Sequence, residues 1–245
     1  MNATAHERII VALDVEQIDA AERLVRQLSG QVGAFKIGKQ LFTRYGPAVV
    51  AMVHAHGGRV FLDLKYHDIP ATVARAAREA VRLGVWMFNV HALGGAAMMR
   101  EAVHAAREMA HVRGVPAPIM LGVTVLTSMT AEDLAPLGIT LPVPDLVTVL
   151  ARQARQAGLD GVVASAREVA LIRQACGREC VVVTPGIRPA GSQADDQKRT
   201  TTPGGALQAG ADYLVVGRPI IAAPDPAAAA AAIGAEIAAA GQGAL

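Results

Sequence analysis

Apolar and polar positions along the chain follow two rhythms. Short runs rich in Val, Ile and Phe predict eight strands, at Ile9–Asp14, Ala34–Gly38, Val60–Lys65, Met87–His91, Pro118–Leu126, Gly161–Ala164, Val181–Thr184 and Tyr213–Gly217. Most are continuous apolar runs rather than strict alternations, as suits strands covered on both faces by helices. Helical spacing separates them, for example at Ala20–Leu28, Thr72–Leu83, Ala96–Ala110 and Pro144–Ala157. Eight strand–helix units without a Pro/Ser-rich linker predict one α/β domain over residues 1–245, a (β/α)8 TIM barrel. A doubly wound open sheet is the alternative. Asp14-Val15-Glu16 stands where that fold places a glycine-rich turn, which favours the barrel.

Composition narrows the classes. With 52 % apolar and 18 % charged residues, 245 residues bury a sizeable core and are too apolar for intrinsic disorder. The 23 Lys+Arg against 21 Asp+Glu leave a formal charge of +2, and no basic run is interleaved with aromatics, so nucleic acid is not an expected partner. Cys176 and Cys180 fit neither a disulfide framework nor a zinc pattern and read as buried small residues in a reducing compartment. The polar N-terminus MNATAHER lacks the character of a signal peptide. The Ala-rich tail Ala227–Ala240 is broken by Gly234 and Glu236 and preceded by Pro224, Asp225 and Pro226, which predicts a docked C-terminal helix rather than a membrane span. A cytoplasmic protein is expected.

Barrel active sites lie at the C-terminal ends of the strands, and the scarce charges fall there. Asp14 ends the first predicted strand, Lys36 lies in the second, Asp63 and Lys65 end the third, and Arg218 follows the eighth. A strand period of two puts Asp63 and Lys65 on one side and Leu62 and Leu64 on the other. Charges inside a barrel mouth are costly unless paired or used. Asp63 and Lys65 alone fit either a buried ion pair or a catalytic pair, and Asp68 fits a turn or cap ahead of a helix begun by Pro70. Asp14 and Lys36 on neighbouring strands favour use, because two carboxylates and two lysines then converge.

A second cluster follows the seventh strand. Thr184-Pro185-Gly186-Ile187-Arg188 leads into a stretch, 187–202, without helix or strand pattern, which carries Arg188, Gln197, Lys198 and Arg199. Loops of this length are usually lids or binding loops. Gly217-Arg218-Pro219-Ile220 then combines a glycine, a bidentate cation and a helix-starting proline, a phosphate site where barrels favour one.

These motifs together resemble the orotidine 5′-phosphate decarboxylase family, over Ala12-Leu13-Asp14 to Asp225-Pro226. The family's Asp-x-Lys-x-x-Asp-Ile-Pro-x-Thr hallmark stands unbroken as Asp63 through Thr72, and its Lys-Ile-Gly as Lys36-Ile37-Gly38. Its later motifs stand as Thr184 through Arg188, Asp196-Gln197, and Asp212-Tyr213-Leu214-Val215-Val216-Gly217-Arg218. The resemblance implies loss of CO2 from C6 of orotidine 5′-monophosphate to give UMP, the last step of de novo pyrimidine nucleotide synthesis, with no metal and no organic cofactor. A vinyl carbanion at C6 has no conjugated sink, so fixed charges must stabilise it. The resemblance further implies that Lys65 supplies the cation and the proton, that Asp63 faces the departing carboxylate, and that Lys36 and Asp68 hold the network in register. Asp14 and Lys36 would bond ribose hydroxyls, and Thr127 and Ser128 would meet the pyrimidine. Arg188, Gln197, Gly217 and Arg218 would bind the phosphate, with the loop from Arg188 closing over it. A homodimer is implied, in which Asp68 and Thr72 reach into the neighbouring site; His67 receives no role.

Two other functions compete. A magnesium-dependent sugar-phosphate decarboxylase or lyase of the related barrel type shares Asp-x-Lys-x-x-Asp but carries a metal-binding glutamate where Lys36 stands. A non-catalytic nucleotide-binding barrel would have lost charges that are all present in this chain. A phosphate-binding isomerase barrel is more distant, supported by Gly217-Arg218 but not by the third strand.

Overall fold

The computed structural model describes residues 3–189 and 201–242. Eight parallel strands close into a barrel in chain order: β1 Ile9–Ala12, β2 Ala34–Gly38, β3 Val60–Tyr66, β4 Met87–His91, β5 Ile119–Val123, β6 Gly161–Val163, β7 Val181–Thr184 and β8 Tyr213–Val216. β8 returns to pair with β1, Ile10 opposite Val215. Helices α1 Ile18–Leu28, α2 Lys39–Tyr45, α3 Ala48–Ala55, α4 Pro70–Arg82, α5 Gly95–Arg113, α6 Ala131–Leu134, α7 Val143–Gln156, α8 Val169–Cys176, α9 Pro203–Gln208, α10 Arg218–Ile221 and α11 Pro226–Gln242 connect and surround the strands.

Alternation along each strand divides the core in two. Ile9, Val11, Phe35, Ile37, Val60, Leu62, Phe88 and Val90 pack outward with helix residues such as Leu24, Val25, Val73, Ala77 and Leu150. The other phase, Ile10, Ala12, Ala34, Phe61, Met87, Leu121, Val183 and Val215, forms a separate small cluster that fills the barrel interior. Beneath it, Trp86 meets Tyr213 edge-on at 5.2 Å, and the Arg59 guanidinium stacks over Trp86 at 4.6 Å. β6 approaches β7 so closely that a Cβ at Gly161 would lie 1.9 Å from the Val181 carbonyl oxygen, which only glycine tolerates.

The strand expectations hold to within a few residues, and β2, β4 and β7 match fully. β5 stops at Val123 rather than Leu126, because the chain turns away into the loop that carries Thr127 and Ser128. α4 begins at Pro70, whose missing N–H suits the first helical turn. The alanine-rich tail is a docked helix, with Ala230, Ile233 and Ile237 buried and Asp225 Oδ1 accepting from the N–H groups of Ala227 and Ala228. Among the described residues no helix is long and apolar enough to cross a membrane. Cys176 and Cys180 are free thiols, and burial pushes the Cys180 thiol up to about 11.

Candidate active site

The interior phase of the strands supplies the chemistry. Two residues beyond the inward-facing Ala12, Ala34, Phe61, Met87 and Val215 stand Asp14, Lys36, Asp63, Asn89 and Gly217. The same alternation that fills the barrel with apolar side chains therefore delivers polar ones to its C-terminal mouth. There a cavity of about 570 Å³ opens, lined by Asp14, Lys36, Asp63, Lys65, Thr127, Ser128, Arg188, Gly217 and Arg218 among others. Its remaining walls are largely apolar, from Phe61, Val123, Val125, Val163 and Val215.

Asp63 is the hub of the charges. Lys65 Nζ donates to its Oδ1 at 2.6 Å, Asn89 Nδ2 donates to the same oxygen at 2.7 Å, and Lys36 Nζ lies 3.5 Å from Oδ2. Lys36 also donates to Asp14 Oδ1 at 3.3 Å, so the order runs Asp14–Lys36–Asp63–Lys65 with alternating sign. The Lys36 and Asp63 side chains are each 12 % exposed, whereas Asp14 is 58 % exposed. Burial pushes the Asp63 carboxyl upward, but the Lys36 and Lys65 ammonium groups and the Lys65 and Asn89 hydrogen bonds outweigh it and hold it below its ordinary 3.8. The chain has four lysines in all; Lys36 and Lys65 are in this network, and Lys39 lines a recess beside it.

Lys65 carries the unusual backbone of the site. Its φ of +52° is the only positive value among the described non-glycine residues. For an L-residue such a conformation costs about 1–2 kcal/mol. It falls where β3 slips against β4: Leu62 pairs with Phe88 and Tyr66 with Val90, so three β3 residues face Asn89 alone. A regular period of two thus fails at Lys65, although Asp63 and Lys65 do meet. Sequence reasoning missed Asn89; the available signal was one amide inside the apolar run Met87–His91, and it is 1 % exposed.

Arg188 and Arg218 also line the cavity, after β7 and β8. The ends of the predicted loop are tied together: Arg188 N–H donates to the Thr201 carbonyl at 2.9 Å, and Thr201 N–H to that of Gly186 at 3.2 Å. Thr202 then caps α9 by accepting from Gly205 N–H at 3.1 Å. Gln197, Lys198, Arg199 and Asp196 lie outside the described residues. Asp68 and Thr72 are exposed and do not line the cavity. Asp68 Oδ1 accepts from the N–H of Ile69 at 2.6 Å. His67 stacks on His91 with ring centroids 5.4 Å apart. Among the described residues no three His, Cys, Asp or Glu side chains are grouped to hold a metal ion.

Residues 7–233 match the family model described as orotidine 5′-phosphate decarboxylase / HUMPS. A protein named orotidine 5′-phosphate decarboxylase from Syntrophotalea carbinolica is 59 % identical, with 98 % of each chain covered. One of the same name from Moorella thermoacetica is 58 % identical, covering 95 % of this chain and 93 % of the relative. The crystal structure of orotidine 5′-phosphate decarboxylase from Lactobacillus acidophilus superposes with a TM-score of 0.81 at 36 % identity, over 94 % of this chain and 98 % of that one.

The Asp63 environment makes a direct prediction. Because its folded-state pKa is depressed, its contribution to stability is full above 3.8 and is lost as pH falls through the folded value. Carboxyl ¹³C shifts of aspartate-labelled protein should show Asp63 mostly ionised at pH 3.8, where a free side chain is half protonated. A midpoint above 3.8 would contradict the balance of forces described.

Proposed function

The chain belongs to the orotidine 5′-phosphate decarboxylase / HUMPS family, and from that premise we propose that it is a carboxy-lyase converting orotidine 5′-monophosphate to UMP, the closing step of de novo pyrimidine nucleotide synthesis. The observation that carries this reading is the alternating Asp14–Lys36–Asp63–Lys65 order on one wall of a cavity whose rim also bears two arginines.

In this reading the C6–carboxylate bond breaks heterolytically, CO2 leaves, and the electron pair remains at C6. Asp63 faces the substrate carboxylate, and the Lys65 ammonium faces the growing charge at C6. Lys65 Nζ–H then gives its proton to C6 and is reprotonated from solvent, so one proton is taken up per CO2 released. Charges fixed before the reaction need no reorganisation as the carbanion forms, which is why such a network suits a reaction without an electron sink. Asp14 and Lys36 bind ribose hydroxyls, and Thr127 and Ser128 meet the pyrimidine. Arg188, Gln197, Gly217 and Arg218 hold the phosphate, whose binding energy helps assemble the charged site.

The metal-free reading rests on Lys36. Its ammonium lies 3.3 Å from Asp14 and 3.5 Å from Asp63. The positive charge between those carboxylates is thus supplied by the chain itself, which disfavours a magnesium-dependent sugar-phosphate lyase. Asp68, Ile69 and Thr72 are exposed and do not line their own cavity, Ile69 at 67 % exposure. We assign them to a homodimer in which Asp68 and Thr72 complete the neighbouring site and Asp68 steadies its charge network. The free thiols suit a reducing, cytoplasmic setting, and residues 1–245 form one barrel domain in each subunit of the dimer.

Purified protein with excess chelator should release CO2 from orotidine 5′-monophosphate, and Lys65→Ala should lower the rate by at least 10⁴-fold, on the order of what positioned acid and charge stabilisation supply together. Activity abolished by chelator and restored by magnesium would favour the lyase. Mixing Lys65→Ala with Asp68→Asn chains should restore activity, since one site of the heterodimer carries both defects and the other none. No recovery despite demonstrated subunit exchange would mean that each site is built from one chain.

A further inference from the structure

The left-handed backbone of Lys65 has to be held by something, and the β3–β4 ladder does not hold it. Between the pairs Leu62–Phe88 and Tyr66–Val90 the register gains two residues on β3, leaving Asp63, Leu64 and Lys65 opposite Asn89. The Asn89 side chain occupies this gap. Its Oδ1 accepts from the Lys65 backbone N–H at 2.8 Å, and its Nδ2 donates to Asp63 Oδ1 at 2.7 Å. Asp63 Oδ1 in turn accepts from Lys65 Nζ at 2.6 Å, closing a ring through both ends of one lysine. The amide orientation is fixed chemically, because a carboxylate only accepts and a backbone N–H only donates. A hydrophobic residue of similar size would fill the space and leave both partners unmatched.

We propose that Asn89 is a positioning residue: its amide holds Lys65 in the left-handed conformation that sets the ammonium on Asp63. The proposal rests on the decarboxylase reading of the site. Asn89 does not line the cavity, so it acts through Lys65 rather than on substrate. Displacement of a reacting group by about 1 Å costs on the order of 10²-fold in rate. Loss of the amide is therefore read chiefly in the chemical step, because the side chains assigned above to the phosphate and the pyrimidine, among them Arg188, Arg218, Thr127 and Ser128, line the cavity without Asn89 among them.

The test uses Asn89→Ala and the similarly sized Asn89→Leu. In both, kcat for CO2 release should fall about 10²-fold, with KM for orotidine 5′-monophosphate and the calorimetric affinity for UMP each within threefold of the unsubstituted protein. Only four lysines are present, so ¹⁵N-lysine labelling isolates the Lys65 amide once Lys65→Arg assigns it. That amide should exchange slowly in the unsubstituted protein and at least tenfold faster in the variants. Retained kcat in either folded variant overturns the proposal, as does a kcat loss matched by equal loss of UMP affinity, which would mark a merely structural residue. Should neither variant fold, the unsubstituted protein decides: protection of the Lys65 amide supports the proposal, and exchange at the rate of an open amide overturns it. Absence of CO2 release from the unsubstituted protein would instead sink the functional reading, while the exchange comparison still tests whether Asn89 holds Lys65.

Discussion

The carboxylate of Asp63 sits 12 % exposed against Lys65, Asn89 and Lys36 at 2.6, 2.7 and 3.5 Å, and the rest of the barrel mouth is organised around keeping it charged there. Withdrawing a carboxylate from water costs several kcal/mol, and leaving it without a partner costs more than the pair is worth. Two cations and an amide offset this cost. They also constrain one another: Lys36 is shared with Asp14, and Lys65 reaches Asp63 from a left-handed backbone that strands rarely adopt. The outcome is a row of charges with little freedom to reorient, which is what stabilisation of a localised carbanion requires.

The barrel makes such a row possible by simple alternation. Positions that point inward in mid-strand are filled by Ile10, Ala12, Ala34, Phe61, Met87 and Val215, and the next inward positions toward the mouth are Asp14, Lys36, Asp63, Asn89 and Gly217. Apolar packing below and polar chemistry above thus belong to one repeating pattern, with the packed layer serving as a rigid floor. The departure from regularity, the slip of β3 against β4, coincides with the left-handed backbone of Lys65.

Much of this was legible along the chain. The eight apolar runs gave the strands because each is buried on both sides, and Asp63 and Lys65 stood out because charges at such strand ends need a reason. The hallmark from Asp63 to Thr72 narrowed that reason further. What escaped notice were features that exist only between strands. Asn89 is 26 positions from Asp63 and 24 from Lys65, so nothing local links them. A period of two extrapolates through Lys65 without announcing the φ of +52° there. The end of β5 at Val123 was equally hidden, since Thr124 and Val125 are as buried and strand-like as the residues before them.

In the proposed reaction, fixed charge at Lys65 and Asp63 stabilises a carbanion at C6 of the nucleotide. This stabilisation can be tested without the carboxylate, by running the final proton transfer backwards. UMP incubated with the protein in D2O should exchange its C6 hydrogen for deuterium, neutral Lys65 removing the proton and the deuterated ammonium returning a deuteron. Deuterium is expected at C6 with the unsubstituted protein and none above background with Lys65→Ala. Equal exchange without the lysine, or no exchange by a protein that decarboxylates orotidine 5′-monophosphate, would contradict it.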